Sequence, residues 1–256
     1  MAGLLRYVER WYSIPLLLLV WQAAVSSGLV ESRLLPGLGR VAAALMRDTG
    51  NGVLPYHTAI TLGRAAAGFA LATLAGVPFA AAMARSALLR NLFEPIFFFG
   101  YPVPKIALFP VFTYVFGIGS PSKVAFAFLE CLYPIVVTAY LGFRAIPVRL
   151  VWSAENMGAP RRTIIGRVIV PAAMPGIFSG LRIALPIAIV VIVLTEMIGD
   201  SRGLGYYIAI SGTRFEFANV YAAILIIGAC GFVLDRGLLR LRRAVVHWER
   251  DDERAL

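Results

Sequence analysis

Long apolar runs separated by arginines constrain this chain more than any other feature. A bilayer core of about 30 Å needs roughly 20 apolar helical residues to cross it. Six runs approach that length, and the predicted spans are residues 14–30, 59–83, 92–116, 124–143, 172–197 and 220–239. Charged residues form 15% of the chain, against about a quarter in soluble domains. We therefore expect an all-α integral membrane protein with one membrane domain over residues 1–256.

The first run has a second interpretation. A basic start, the apolar stretch LLLLVW and the small residues AAVSSG are also typical of a secretory signal peptide. Because apolar runs continue along the whole chain, a first membrane span is the simpler explanation.

The third run carries four prolines, Pro95, Pro102, Pro104 and Pro110. Each proline removes a backbone hydrogen-bond donor and disturbs the helix before it. The run is therefore predicted to be kinked or partly unwound. At membrane depth, such irregular backbone is tolerated only against protein or along a water-filled path.

The positive charges predict the orientation. Six spans place both termini on one side of the membrane. If that side is the cytoplasm, the inner segments hold fifteen of the 24 lysines and arginines and the outer segments hold six. This bias agrees with the positive-inside rule and explains the net charge of +10 without a nucleic-acid partner. Residues 144–170 then form the largest internal cytoplasmic segment.

Ionisable residues in or beside spans are candidate functional residues, because they normally face a partner or a wet cavity. Arg64 lies near the end of a span, where it either extends to the headgroups or faces the interior. Glu130 and Glu196 are either proton-coupling groups or ion-pair partners of Lys105 or Arg182. The candidate residues of a translocation path are Lys105, Pro104, Arg182 and Glu196.

The sequence lacks the motifs of a nucleotide-binding, metal-binding or catalytic site. Neither of the two lysines belongs to a GxxxxGK[ST] loop, so this chain cannot bind a nucleotide in the P-loop manner and any ATP must be hydrolysed elsewhere. Cys131 and Cys230 lie inside apolar runs, and His57 and His247 are the only histidines, which argues against a metal site. We expect no catalytic residues and no cofactor on this chain.

The polar, basic stretch AENMGAPRRTIIGRVIVPAAMP at 154–175 interrupts the apolar pattern. It resembles the EAA loop of ABC-importer permeases, whose pattern is E-A-A-x3-G-x9-I-x-L-P. Gly158 takes the glycine position, Val168 and Val170 the two aliphatic positions, and Pro171 the proline. The first triplet differs, because Trp152 stands where the family has its glutamate.

Four further stretches narrow the resemblance to permeases of the nitrate/taurine/sulfonate type. They are TLGRAAAGF at 61–69, YPVPKIALFPVFTYVFGIG at 101–119, PAAMPGIFSGLRIAL at 171–185 and EMIGDSRGLGYYI at 196–208. The resemblance implies the type I, MetI-like permease fold in a bacterial inner membrane. It also implies two ABC ATPase subunits, a second permease copy, membrane lipid and an extracytoplasmic substrate-binding protein as partners. Residues 203–217 either contact that binding protein or form an aromatic belt.

By the same resemblance, residues 144–170 contain a coupling helix that contacts the ATPase. The candidate coupling residues are Trp152, Ser153, Ala154, Glu155, Asn156, Met157, Gly158, Ala159, Pro160, Arg161, Arg162 and Pro171. Gly158 and Pro160 are suited to end a short helix there. Val151, Ala154 and Met157 share one helical face, which we expect to enter a groove on the partner. Without the resemblance, a solvated loop would explain the same charges.

The resemblance implies a translocation path for a small, anionic solute such as nitrate, taurine or a sulfonate. The charge of Lys105 favours an anion at low dielectric, although this lysine could equally hold helices together or lie at a cytoplasmic gate. An ABC permease for a vitamin precursor or an aromatic carboxylate is the alternative within the family. A secondary transporter driven by an ion gradient is the alternative from another class. Such a transporter typically has an internal repeat, and the sequence shows no clear one.

Overall fold

The computed structural model describes residues 12–28, 31, 34–100 and 103–248, with residues 14 and 98 described by their backbone alone. This part of the chain is helical and contains no β-strand. Its helices are α1 (Ser13–Ser26), α2 (Leu38–Gly50), α3 (Val53–Arg85), α4 (Ala87–Gly100), a 3₁₀ helix (Lys105–Leu108), α5 (Phe109–Phe116), α6 (Ser120–Arg144), α7 (Val148–Asn156), α8 (Arg161–Met197), α9 (Leu204–Thr213) and α10 (Phe217–Val245).

Four helices of the described residues are long and apolar enough to cross a membrane, namely α3, α6, α8 and α10. Two shorter apolar segments, Pro15–Ser26 and Lys105–Phe116, accompany them. The predicted all-α membrane fold is confirmed. Helix α3 begins six residues before the span predicted at 59–83, and α10 continues six residues beyond the span predicted at 220–239.

The run predicted as one disturbed span at 92–116 is divided between α4 and a second segment, in which a 3₁₀ helix continues directly into α5. Helix α4 ends at Gly100, a 3₁₀ helix covers Lys105–Leu108, and α5 ends at Phe116. Pro95 lies inside α4, whereas Pro104 directly precedes the 3₁₀ helix and Pro110 occupies the first turn of α5. Proline fits a first turn because the amide that it lacks has no helical partner there. Pro102 lies outside the described residues.

The chain divides into two compact units, of which the first comprises Met1–Ile60 and Glu196–Gly228. Its core contains both apolar side chains and a tyrosine, and consists of Val41, Ala44, Leu54, Leu204, Tyr207, Ala222 and Ala223. Trp21 packs on this core and donates a hydrogen bond from Nε1 to the Pro36 carbonyl at 3.1 Å.

The second unit comprises Thr61–Thr195 and Ala229–Leu256. Its helices approach one another at glycines. A Cβ atom added to Gly176 in α8 would lie 2.7 Å from the Cα atom of Gly142 in α6. One added to Gly180 would lie 2.1 Å from Thr138 Oγ1. Helices in lipid associate through such close packing, because lipid tails are as apolar as the helices themselves.

Candidate functional site

The segment that resembles the EAA loop folds as a short helix with a defined end. Helix α7 stops at Asn156, and Gly158 follows with φ +76°, a conformation that favours glycine. The Gly158 amide donates to the Glu155 carbonyl at 2.9 Å, and the Ala159 amide donates to the Ala154 carbonyl at 3.1 Å. This pair of bonds is the Schellman motif, which satisfies the last carbonyls of a helix.

The side chains of α7 divide into an inner and an outer face. Within this chain Ala154 is buried and Val151 is half-buried, and their contact with a partner stays a prediction. Helical spacing identified a shared face but not its direction. Trp152 and Met157 point outward instead, with 58% and 80% of their surfaces exposed.

The remaining predicted coupling residues surround that outer face. The exposed ones are Ser153, Glu155, Asn156, Gly158, Pro160, Arg161 and Arg162, whereas Ala159 and Pro171 are partly buried. Pro171 lies inside α8, just after a π-helical turn at Ile165–Ile169. The structure therefore presents an indole, a thioether and two guanidinium groups on one exposed segment.

Helix α7 has an apolar crevice of about 230 Å³ beneath it. Val148 and Val151 of α7 line it together with Ile165 and Ile169 of the π turn and Phe143 of α6. Helix α7 thus lies against the first turns of α8. A displacement of α7 would therefore also displace the start of α8.

Lys105 and Glu130 form an ion pair within the second unit. The Lys105 Nζ atom lies 3.7 Å from Glu130 Oε2, and the two side chains are 11% and 16% exposed. Nζ also lies 4.6 Å from the centroid of the Tyr133 ring, a cation–π contact. Of the partners left open by the sequence, the structure pairs Glu130 with Lys105.

Arg182 has a different partner. Its Nε atom donates to Asp235 Oδ1 in α10 at 3.2 Å, and the side chains are 45% and 34% exposed. Sequence reasoning did not identify Asp235, because it lies near the arginine-rich end of the last apolar run. Ser179, one turn before Arg182, is also exposed.

Arg64 lies in the interior of the second unit rather than at a surface. It is 5% exposed, and its Nε atom donates to Ser120 Oγ at 2.9 Å. The interpretation that it extends to the headgroups is therefore wrong.

Glu196 belongs to the first unit, where it is fully buried. Its Oε2 atom accepts a hydrogen bond from the Gly205 amide at 3.1 Å, in the first turn of α9. A carboxylate at this position accepts a hydrogen bond from an amide that has no partner within the helix. Its negative charge also interacts favourably with the positive N-terminal end of the helix dipole. Gly203 has φ +105° and leaves room for the carboxylate, since its Cβ atom would lie 2.1 Å from Glu196 Cδ. The Gly203 amide donates to His57 Nδ1 at 3.0 Å.

A second polar network in the first unit was missed by sequence reasoning. Tyr207 donates a short hydrogen bond to Asp48, and Arg47 donates to the same carboxylate at 2.8 Å. Arg47 also donates to Asn219 Oδ1 at 2.8 Å. The hydrogen bond from Arg47 holds the pKa of Asp48 below its usual value against the effect of burial. The available signal was the spacing of Asp48, which shares the buried face of α2 with Val41 and Ala44.

The sequence and the fold were compared with known proteins. The family described as "Binding-protein-dependent transport system inner membrane component" matches residues 68–247. The taurine transport system permease protein TauC of Escherichia coli (strain K12) is 31% identical over 241 residues, which cover 92% of this chain and 88% of that protein. The putative aliphatic sulfonates transport permease protein SsuC of Bacillus subtilis (strain 168) is 28% identical over 234 residues, which cover 91% of this chain and 85% of that protein.

Among solved structures, a chain of the MetNI methionine ABC transporter in an inward-facing conformation has a similar fold. The TM-score is 0.63 with 19% sequence identity, over 72% of this chain and 92% of that chain. This similarity confirms the type I, MetI-like fold. With the family match over most of its length, the chain belongs to the binding-protein-dependent transport system inner membrane components, and it is a multi-pass inner-membrane permease subunit of an ABC importer, not an enzyme.

Proposed function

We propose that two copies of this chain form the translocation path for a small solute that carries a sulfonate or a related anionic group. Two relatives support this substrate class by their names, one in taurine transport and one in aliphatic sulfonate transport. Two ABC ATPase subunits hydrolyse ATP for the complex, and a substrate-binding protein delivers the solute. The proposal requires no cofactor on this chain.

The observation that carries the proposed coupling is the rigid end of α7. A helix closed by a Schellman motif, with Trp152 and Met157 exposed beyond a buried Ala154, is a compact handle on the surface of the second unit. Movement of the ATPase subunits pushes this handle and, through the π turn, the base of α8. Trp152 replaces the family glutamate, so the contact with the ATPase relies on packing and on the nearby arginines.

The proposed orientation has both termini and α7 in the cytoplasm. The basis is the distribution of positive charges, with fifteen on the inner side and six on the outer side. In this orientation α2 and α9 lie on the outer side, where the binding protein docks.

The coupling proposal is tested by replacing Gly158 with valine. Nothing lies within 4 Å of a Cβ atom at this position, so the change acts through the positive φ alone, which valine adopts only with strain. We expect the variant to reach the membrane but to lose solute-stimulated ATP hydrolysis in proteoliposomes that contain the whole importer.

The matched control is Gly237→Val in α10, where a Cβ atom also meets no neighbour and φ is ordinary. We expect this variant to keep most of the stimulation. If Gly158→Val retained full stimulation, the proposed role of α7 would be wrong.

A further inference from the structure

The third apolar run is broken next to a buried ion pair, and this combination points to a binding site. Helix α4 ends at Gly100, residues 103 and 104 are not helical, and a 3₁₀ helix starts at Lys105. In transporters, interrupted membrane helices line substrate and ion sites near the bilayer midplane. Glu130 is the eleventh residue of the 25-residue helix α6 and therefore lies about 15 Å from its start at 1.5 Å per residue. The pair thus lies near the middle of a span.

The geometry of this pair is open rather than closed. Charge-assisted hydrogen bonds between an ammonium and a carboxylate are typically about 2.7–2.9 Å long, whereas Lys105 Nζ and Glu130 Oε2 are 3.7 Å apart. Both side chains keep some exposure, at 11% and 16%. Gly100 allows Tyr133 to approach, because a Cβ atom there would lie 2.5 Å from the tyrosine oxygen.

The charges of the pair decide which ligand it favours. A lysine alone would attract a simple anion, but Glu130 at 3.7 Å cancels most of that potential. A neutral pair of opposite charges is complementary to a ligand that itself carries both charges. The face of Tyr133 is already in contact with the Lys105 ammonium, so Glu130 is the group that faces a ligand's positive end.

We infer that Lys105 and Glu130 hold the two ends of a short zwitterionic solute as it crosses the membrane, with the sulfonate or carboxylate on Lys105 and the ammonium on Glu130. The inference rests on the proposed function and narrows its substrate class from anions to zwitterions. It also gives the broken third span a function in cargo binding.

Two probes that differ only in the ammonium group test this inference, namely taurine and ethanesulfonate. The purified full-length permease is titrated with each probe in the millimolar range, and the rise in melting temperature reports binding. We expect wild-type protein to bind taurine at least about tenfold more tightly than ethanesulfonate, a difference expected from one ion pair.

The variants assign each end of the ligand. Glu130→Gln should bind taurine and ethanesulfonate equally, and Lys105→Gln should bind neither. Because an unpaired buried charge can destabilise a protein, the double variant K105Q/E130Q provides a charge-neutral reference for folding. Arg144→Gln, which removes a cation at the end of α6 in the second unit, should keep the preference for taurine.

Three results would overturn the inference. They are wild-type protein whose melting temperature responds to neither probe, equal binding of both probes by wild-type protein, and a Glu130→Gln variant that keeps the preference for taurine. A purely structural ion pair would lower the melting temperature of the variants without changing the difference between probes. Because the titration uses no ATPase, its outcome is independent of the Gly158→Val test of coupling.

Discussion

The two units of the permease differ in how their helices contact one another. In the first unit, buried polar groups are paired with one another, as Asp48 is with Arg47 and Tyr207, and Glu196 with the start of α9. In the second unit, α6 and α8 touch through Gly142 and Gly176. Polar groups are paired in both units, as Arg64 is with Ser120 in the second, so what distinguishes the second unit is the close contact of two long apolar helices at small residues.

The largest expected effect is that of Gly203→Ala in the first unit. The new methyl group would overlap the Glu196 carboxyl at 2.1 Å, and alanine disfavours φ +105°. Backbone strain costs about 1–3 kcal/mol and the lost charged hydrogen bond about 1.5–3 kcal/mol. We therefore expect the free energy of unfolding to fall by about 3–5 kcal/mol. Thermal unfolding in detergent measures it.

Gly212→Ala is the control for this change, because a Cβ atom there meets no neighbour and φ is ordinary. A melting temperature for Gly203→Ala equal to that of the control would show that Glu196 does not cap α9 tightly.

A smaller loss is expected from Gly176→Ala in the second unit. The added methyl group would lie 2.7 Å from a backbone atom of α6, which cannot move away as a flexible side chain can. Overpacking of this kind typically costs about 1–3 kcal/mol. The measurement is the unfolding temperature relative to that of Gly63→Ala, a position in α3 with open space around its Cβ atom. Equal stability of the two variants would contradict direct contact of α6 and α8 at this point.

The smallest of the three effects is expected for Asp48→Asn, at about 1–2 kcal/mol near neutral pH. The pKa of Asp48 is depressed in the folded protein, so its contribution is present above the unfolded pKa of about 3.9 and is lost as the pH falls through the folded value. The difference in unfolding temperature between wild type and variant should therefore narrow below about pH 4. A difference that stayed constant with pH would exclude the ionised carboxylate as its cause.

Much of the fold follows from the sequence, because length and hydropathy set the spans and proline sets their breaks. The end of α7 was also predictable. A glycine such as Gly158 permits the turn that ends a helix, and Pro160 disfavours helical conformation in the residue before it. The direction of α7 was not, because helical spacing tells which residues share a face but not what that face contacts. Ala154 is buried within this chain whereas Met157 is exposed, although helical spacing placed both on one face.

The pairing of charges was likewise beyond the sequence. Glu130 and Lys105 lie on separate elements, and either Lys105 or Arg182 was an equally suitable partner for it by type alone. The capping of α9 by Glu196 depends on the turn at Gly203, whose φ of +105° no side-chain pattern reports. Contacts that depend on such tertiary geometry required the structure.

The π turn at Ile165–Ile169 has a consequence for how this region tolerates insertion and deletion. A π turn holds one residue more than the α-helical turn it replaces, and each residue of an α-helix rotates the chain by about 100°. Removing one residue from 165–169 would convert the π turn to α-helix. The part of α8 after this turn would keep its contacts with α6. The number of residues between Gly158 and Pro171 thus fixes how α8 is rotated relative to the end of α7. A one-residue deletion should therefore be tolerated better at the π turn than one turn further along α8.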